Sequence, residues 1–267
     1  MVAKHTILSN KDSKLIGKVI VKYGDIVTAG SLLKIFQKEY SDFAARNRIH
    51  QLKKNGWLVR VKQGLYVVVS DIASRSISNV SLLRIAQALN NKSYISMDYA
   101  LNYYNMFDQY TKILVSITTT RTKQYEFQKI IFKFAKIANN YYFGFSKKRI
   151  EGKLVNIADL EKAIIDYLYL YKTSYVFSLI LEKLTNYKND FDFEKMQNYA
   201  LRYNITIQRK VGFLLDAIGA NSQKLFNKAR QDNKGYSRFS KNSKKFNSKW
   251  RLYYDDRIIK QERASNR

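Results

Sequence analysis

One segment, residues 41–69, constrains the fold more than any other part of the chain. It reads SDFAARNRIHQLKKNGWLVRVKQGLYVVV. The serine that opens it has the short hydroxyl side chain that caps helices. Ala45, Ile49 and Leu52 follow at the i, i+4, i+7 spacing of a buried helical face. Because Asn55-Gly56 supplies the left-handed residue on which helices commonly end, the segment predicts a helix of about four turns.

Two short apolar runs follow this helix, over Trp57–Lys62 and Leu65–Val69. Gln63-Gly64 joins them, and the glycine allows the tight turn of a β-hairpin. A recognition helix followed by a hairpin is the order of elements at the DNA-reading end of a winged helix-turn-helix, whose recognition helix enters the major groove.

Two further helices are predicted upstream of the segment. Asp12 or Ser13 is expected to cap a helix that runs to about Tyr23 and ends at Gly24. Thr28 is expected to cap a second, shorter helix. The three helices and the hairpin together predict a winged helix-turn-helix domain over residues 1–70.

The predicted recognition helix carries hydrogen-bonding side chains on the face away from its apolar residues. No acidic residue occurs from Ala44 to Ser70, whereas a merely solvated helix face, the alternative reading, usually mixes Glu with Lys. Arg, Asn and Gln can bond base edges, and Lys and Arg can bond phosphates. The predicted DNA contacts are Arg46, Asn47, His50 and Gln51 to bases, and Lys53, Lys54, Arg60 and Lys62 mostly to phosphates, with Ser41 and Gln63 beside them.

The charge balance agrees with a polyanionic partner. The chain has 48 Lys and Arg against 21 Asp and Glu, a formal net charge of +27, and a strongly basic surface attracts nucleic acid. The alternative is coding bias, because abundant Asn, Lys, Ile and Tyr with no Pro is also what an AT-rich genome produces. The charge supports DNA binding in combination with the motif.

Several classes of function are disfavoured by composition. The chain has no Cys and two well-separated His residues, His5 and His50, so disulfides, a zinc site and a His-based catalytic triad are not expected. The N-terminal residues lack the apolar core of a signal peptide, and no apolar run approaches the length of a membrane span. We expect a cytoplasmic protein with no membrane partner, no cofactor and no bound metal.

The rest of the chain predicts a second domain. Residues 71–79 are polar and are expected to be a linker, residues 80–259 mix strands and helices with a helical C-terminal part, and residues 260–267 form a loose basic tail. Among the expected elements are a strand over Tyr141–Phe145 and a helix from Val155 to Leu170. The predicted fold class is therefore α+β, an N-terminal winged helix-turn-helix followed by a mixed α/β domain.

One acidic cluster invites an enzymatic reading. Asp159, Glu161 and Asp166 surround Lys162, and clustered carboxylates with a lysine can hold Mg²⁺ and activate water, as in nucleases. Lys162 and Asp166 are also four residues apart, the spacing of a helical ion pair. We favour the ion pair and expect no catalytic residues and no enzymatic activity.

The final part of the chain interleaves cations with aromatic residues. Residues 221–267 contain fourteen Lys and Arg and four acidic residues. Such a mixture can bind single-stranded nucleic acid by stacking or an acidic protein face, or can be a basic, partly disordered tail. The apolar run Trp250–Tyr254 is expected to pair with a sheet.

Several segments in order along the chain resemble the AbiEi-type antitoxins of type IV toxin–antitoxin, or abortive-infection, systems. Leu160 stands where that family often has Pro. The segments are Tyr94-Ile95-Ser96 with Ala100-Leu101, Thr118 to Lys123, Phe143-Gly144-Phe145, Ala158 to Asp166, Gln208 to Asp216 and Asn247 to Leu252.

The resemblance implies a winged-helix autorepressor. It would bind inverted repeats in its own promoter, with two copies assembling on the DNA, and would neutralise a nucleotidyltransferase-type toxin, in an operon that provides phage defence. Arg121 and Lys123, in a polar turn, are candidates for the toxin contact. The alternative is a plasmid or phage regulator of the same fold that has no toxin partner.

Overall fold

The computed structural model describes residues 8–69, 80–107, 111–232 and 234–256. The predicted linker (71–79) and the predicted tail (260–267) lie outside the described residues. Contacts divide the chain into two compact units. The first comprises Met1–Asn91, Gln124–Phe132 and Arg149–Val155, and the second comprises Lys92–Lys123, Lys133–Lys148 and Asn156–Arg267.

The first unit begins with three helices and a small antiparallel sheet. Its strands are in the order β1-β3-β2, with Val27 opposite Tyr66 and Val59 opposite Val67. Its elements are α1 (Asn10–Tyr23), β1 (Ile26–Thr28), α2 (Ala29–Phe36), α3 (Asp42–Lys54), β2 (Leu58–Lys62), β3 (Leu65–Val68) and α4 (Leu82–Leu89).

The helix boundaries in this unit follow from local capping. Thr28 and Ser41 cap α2 and α3, as expected: each hydroxyl accepts a hydrogen bond from a backbone N–H in the first turn. The expected cap of α1 is wrong. Ser9 caps this helix, with its Oγ accepting from the Asp12 N–H at 3.1 Å, and Asp12 lies in the first turn, where its carboxylate accepts from Ser9 Oγ and from Arg48 Nε.

The rest of the described chain contains a six-stranded sheet with helices after it. The strand order is β6-β7-β5-β4-β9-β8, and β4 pairs antiparallel with β5 and parallel with β9. The mixture of helices and sheets makes the chain α+β, as expected. The elements are β4 (Ser93–Ile95), α5 (Met97–Tyr103), β5 (Ile113–Thr118), β6 (Lys123–Phe127), β7 (Ile130–Lys136), β8 (Phe145–Ile150), β9 (Lys153–Ala158), α6 (Leu160–Leu170), α7 (Ser174–Asn186), α8 (Phe193–Leu201), α9 (Ile205–Ala217), α10 (Gln223–Ala229), β10 (Ser237–Arg238), β11 (Lys245–Asn247) and β12 (Leu252–Tyr254).

Two expected elements of this part of the chain are wrong. Tyr141–Phe145 is not a strand: a short 3-10 turn ends at Tyr141, whose ring stacks on Tyr203 at 4.2 Å, and β8 begins only at Phe145. The helix expected from Val155 begins at Leu160, because Val155 belongs to β9. In both segments short apolar runs have no period that separates strand from other structure.

The C-terminal strands form a second small sheet, in the order β10-β12-β11. The expectation that Trp250–Tyr254 pairs with a sheet is confirmed, because β12 pairs with both neighbours. In the described part of the chain, none of the helices combines the length and apolar character needed to span a bilayer.

Candidate nucleic-acid interface

Helix α3 is fixed in the first unit by one apolar face and by one ion pair to a buried carboxylate. Ala45, Ile49 and Leu52 are buried in a core shared with α1, α2 and the small sheet. Beside them, Arg48 forms an ion pair with Asp12 of α1, whose carboxylate is 1% exposed. The hydrogen bonds from Arg48 hold the pKa of Asp12 below its usual value despite burial. The orientation of α3 about its own axis is therefore set.

This orientation exposes the opposite face of α3. Phe43, Asn47, His50 and Lys54 are all exposed and recur at i, i+4, i+7 and i+11, so they form a single stripe along the helix. We call these four residues the α3 stripe. With its side chains an α-helix is about 10–12 Å across, which matches the roughly 12 Å width of the major groove.

Arg46 lies at one side of the stripe and is paired with an acidic residue of its own helix. Its Nε donates to Asp42 Oδ2 at 2.9 Å, and both side chains are exposed. Gln37 Nε2 donates to the other oxygen of the same carboxylate at 2.6 Å. The Arg46 hydrogen bond, followed by that of Gln37, lowers the pKa of Asp42. The carboxylate thus orients the guanidinium without burying it.

Gln51 lies at the other side of the stripe and is also oriented. Its Oε1 accepts from Arg48 Nη1 at 2.7 Å, which leaves its amide nitrogen to point outward. Lys53 is half-buried in the last turn of α3. The first turn is capped by Ser41, whose Oγ lies 3.4 Å from the Ala44 N–H.

In the β2–β3 hairpin, only two of the three predicted contact residues are exposed. Arg60 and Gln63 are exposed, and Gly64 has the left-handed φ of +76° that the turn requires. Lys62, in contrast, is half-buried. Its Nζ donates to the Leu89 carbonyl at 2.7 Å and lies 5.5 Å from the Tyr125 ring centre. Lys62 would have to leave that carbonyl to bind a phosphate.

The acidic cluster of the second unit is not arranged as an open site. The expected Lys162–Asp166 ion pair is confirmed, and both side chains are buried. Asp166 also accepts from Tyr94 Oη at 3.0 Å and from Ser96 Oγ at 2.8 Å, and Lys162 donates to Tyr203 Oη at 2.9 Å. Burial lowers the pKa of Lys162 and raises that of Tyr94.

The other two carboxylates of this cluster, Asp159 and Glu161, share Lys195, at 3.0 Å each. Among the described residues no group of three or more His, Asp or Glu side chains is placed to hold a metal ion.

The two candidates for the toxin contact are both exposed. Arg121 lies between β5 and β6, and Lys123 is the first residue of β6.

Two further residues of α3 were not among the predicted contacts. Arg48 positions the helix through Asp12, and nothing local in the sequence identifies that partner 36 residues away. Phe43, which is 76% exposed, is part of the α3 stripe. Its spacing from Asn47 and His50 is a signal that the sequence does contain.

These features define an α+β protein that exposes one largely polar helix face in its first unit. In structure the chain is similar to the RV2827C protein from Mycobacterium tuberculosis, with a TM-score of 0.68 at 10% sequence identity over 98% of this chain and 98% of that one. At that identity the likeness shows the fold alone. No family model and no curated protein sequence matches the chain.

Proposed function

We propose that the first unit binds duplex DNA as a winged helix-turn-helix, with α3 in the major groove and the β2–β3 hairpin as the wing. The order α1, α2, α3, hairpin supports this assignment. The observation that carries the proposal is the α3 stripe with Arg46 and Gln51 beside it. Here polar and cationic side chains project from a helix whose opposite face is anchored in the core.

The side chains divide by the kind of contact they can make. Arg46, Asn47, His50 and Gln51 have the donor and acceptor groups that base edges accept. Lys54, Lys53 and Arg60 carry charge suited to phosphates. Asp42 acts through Arg46: by holding Nε it presents the remaining guanidinium nitrogens outward, as a bidentate contact to guanine requires.

Arg46→Ala tests base reading directly. On the operator, selected from the DNA upstream of the gene, we expect a loss of about 1–3 kcal/mol in binding free energy, with a much smaller loss on scrambled duplex. Arg149→Ala is the matched control, because Arg149 is an exposed arginine of the same unit on β8. Equal losses on both duplexes for Arg46→Ala would show that this residue contacts only phosphate.

We further propose that the chain is an autorepressor and antitoxin, the second unit neutralising a nucleotidyltransferase-type toxin. The support is the resemblance to the AbiEi-type antitoxins. Two of its segments, Gln208 to Asp216 and Asn247 to Leu252, pack together: Trp250 Nε1 donates to Asp216 Oδ2 at 2.7 Å. Within these segments residues 208–215, Trp250 and Leu252 are buried in the second unit, so they support a common scaffold and do not identify the toxin-binding surface.

Co-expression with the neighbouring gene tests the antitoxin proposal. The full chain should relieve the growth arrest that this gene causes. A variant with Arg46→Ala and Asn47→Ala should still relieve it while losing repression of a promoter reporter. The full-length variant is preferable to removing residues 1–70, because the first unit also includes Gln124–Phe132 and Arg149–Val155. Repression by a chain whose neighbour causes no arrest would favour the regulator without a toxin.

A further inference from the structure

The small C-terminal sheet of the second unit presents a row of aromatic and cationic side chains to solvent. Arg238, Tyr253 and Phe246 are direct partners across β10, β12 and β11, so their side chains lie on the same face. The alternate residue Leu252 is fully buried, and Tyr254 packs on Phe213 at 4.7 Å between ring centres. One face of the sheet therefore covers the core and the other is open.

The open face of this sheet carries three aromatic rings and one guanidinium group that contact one another. The Arg238 guanidinium lies 4.0 Å from the Tyr253 ring centre and 5.3 Å from that of Tyr236. Tyr236 and Phe246 flank Tyr253, at 5.1 Å and 5.0 Å between ring centres. Tyr236 is 60% exposed and Phe246 is 46% exposed. We call these four residues the aromatic platform.

A basic groove adjoins the aromatic platform and shares Arg238 and Tyr253 with it. The groove has a volume of about 820 Å³, and Lys241, Lys244 and Lys245 are among the residues that line it. Two acidic residues line it as well, of which Asp256 is paired with Lys245 at 2.9 Å. Residues 234–256 contain seven Lys and Arg and two acidic residues, so the surroundings favour an anion.

We propose that the aromatic platform and its groove bind a short single-stranded segment of RNA. Bases stack on Tyr236, on Phe246 and on the guanidinium plane of Arg238, and phosphates lie in the groove. An acidic protein segment would use the lysines and leave the rings exposed. Duplex DNA keeps its bases stacked inside the helix, whereas unpaired, accessible bases are the usual targets of proteins that read RNA. This inference does not rest on the function proposed for the first unit.

Fluorescence anisotropy with the full chain and a short oligouridylate tests the proposal. The double variant Tyr236→Ala with Phe246→Ala should bind at least about fivefold more weakly, the lower bound for losing one stacked base. Tyr236→Trp should bind as well as the unmodified chain, because it keeps a stacking surface. Tyr175→Ala is the matched control, since Tyr175 of α7 is 68% exposed and lies outside the aromatic platform; it should leave binding unchanged.

A second arm separates charge from stacking. Lys241→Ala with Lys244→Ala should lower the slope of log Kd against log salt by about 1.4, as expected for two phosphate contacts to a single strand. The proposal is overturned if the aromatic double variant binds oligouridylate as well as the unmodified chain does. It is also overturned if oligoglutamate competes as well as oligouridylate does, which would indicate a protein partner. Tighter binding of oligodeoxythymidylate would overturn the choice of RNA.

Discussion

Cationic side chains are exposed to solvent on helix α3 of the first unit but buried on helices α6 and α9 of the second. On α3, Arg46 and Lys54 are exposed and the buried residues are apolar. On α6 and α9, by contrast, Lys162, Arg209 and Lys210 are at most 2% exposed. Basic residues on a helix are therefore exposed in the first unit and buried in the second.

The difference shows what each unit requires of its charges. Exposed cations cost the fold little, so α3 is free to use them for binding. Buried cations must be satisfied internally: Lys162 has a carboxylate, and Arg209 Nη2 donates to the Asp232 carbonyl at 2.9 Å. Substitutions in the second unit should therefore change stability, and those on α3 should change binding.

The largest expected effect is that of Asp166→Asn. It leaves the buried Lys162 ammonium without its counter-charge, and breaking a buried pair in this way costs about 3–5 kcal/mol. The free energy of unfolding, from chemical denaturation, measures it. Asp42→Asn, which breaks the exposed pair with Arg46, should leave stability unchanged within error. If the two substitutions had equal effects, burial would not distinguish these two ion pairs.

Lys210→Met should stabilise the protein. Lys210 is buried and its Nζ donates to the Leu168 carbonyl at 3.3 Å; burial, with the nearby charge of Lys172, lowers its pKa from 10.5 to about 8. Because the unfolded chain holds this proton more strongly, the unmodified protein gains stability as pH rises from about 8 to 10.5. We therefore expect the Met variant to be more stable at pH 7, by about 3 kcal/mol at most.

Denaturation at pH 7 and above pH 10 measures this gain, which should shrink towards zero at the higher pH. Lys188→Met is the matched control, since Lys188 also donates to a carbonyl, that of Ile218 at 2.8 Å, but is exposed. It should show no such pH dependence. A Met variant of Lys210 that is no more stable at neutral pH would mean that the buried ammonium is well solvated.

Gly212→Ala should destabilise the second unit, although alanine is normally favoured over glycine within a helix by about 1 kcal/mol. A Cβ at this position would lie 2.1 Å from the Trp250 indole, so the ring or α9 must move. Overpacking of this kind costs about 1–3 kcal/mol. Gly17→Ala in α1, where a Cβ meets nothing within 4 Å, should instead raise the free energy of unfolding. The same denaturation measurement compares them, and stabilisation in both would rule out close packing at Gly212.

The parts of the fold that sequence predicts are those with local causes. The Ser41 cap, the apolar spacing of α3 and the Gly64 turn each act within a few residues, and α3 and its hairpin follow from them. The hydrogen bond from Lys62 to the Leu89 carbonyl cannot be predicted in this way, because the two residues are 27 positions apart in the chain. The Lys162–Asp166 pair is predictable from its spacing, but the burial of Lys162 is not, since Tyr94 and Tyr203, which complete its environment, come from distant segments.

For the candidate site, the chemistry of α3 is predictable but its geometry is only partly so. Residue types alone suggest base contacts by Arg46 and Gln51. The spacing of four residues suggests that Asp42 pairs with Arg46, but that Arg48 holds both Gln51 and the distant Asp12 becomes visible only with coordinates. Phe43 is the reverse case, because its helical spacing places it on the stripe without any structure.

Phe43→Ala should have the smallest effect, and it tests whether an exposed apolar residue of α3 contributes to DNA binding. Phe43 lies in the first turn of α3, and N-terminal residues of a recognition helix contact base edges, where an aromatic ring can meet the thymine methyl group. Losing one buried methyl costs about 0.8 kcal/mol, or roughly fourfold in Kd.

The measurement uses operator duplexes in which each thymine in turn is replaced by deoxyuridine, which lacks only that methyl. At one position the replacement should weaken the unmodified chain by roughly fourfold and leave Phe43→Ala unaffected. Val21→Ala is the control, because Val21 is an exposed apolar residue of α1, 90% accessible, and should keep the full thymine dependence. If no position distinguishes the Phe43 variant although the operator is bound, DNA binding stands and the thymine contact does not. Failure to select any operator would instead count against DNA binding itself.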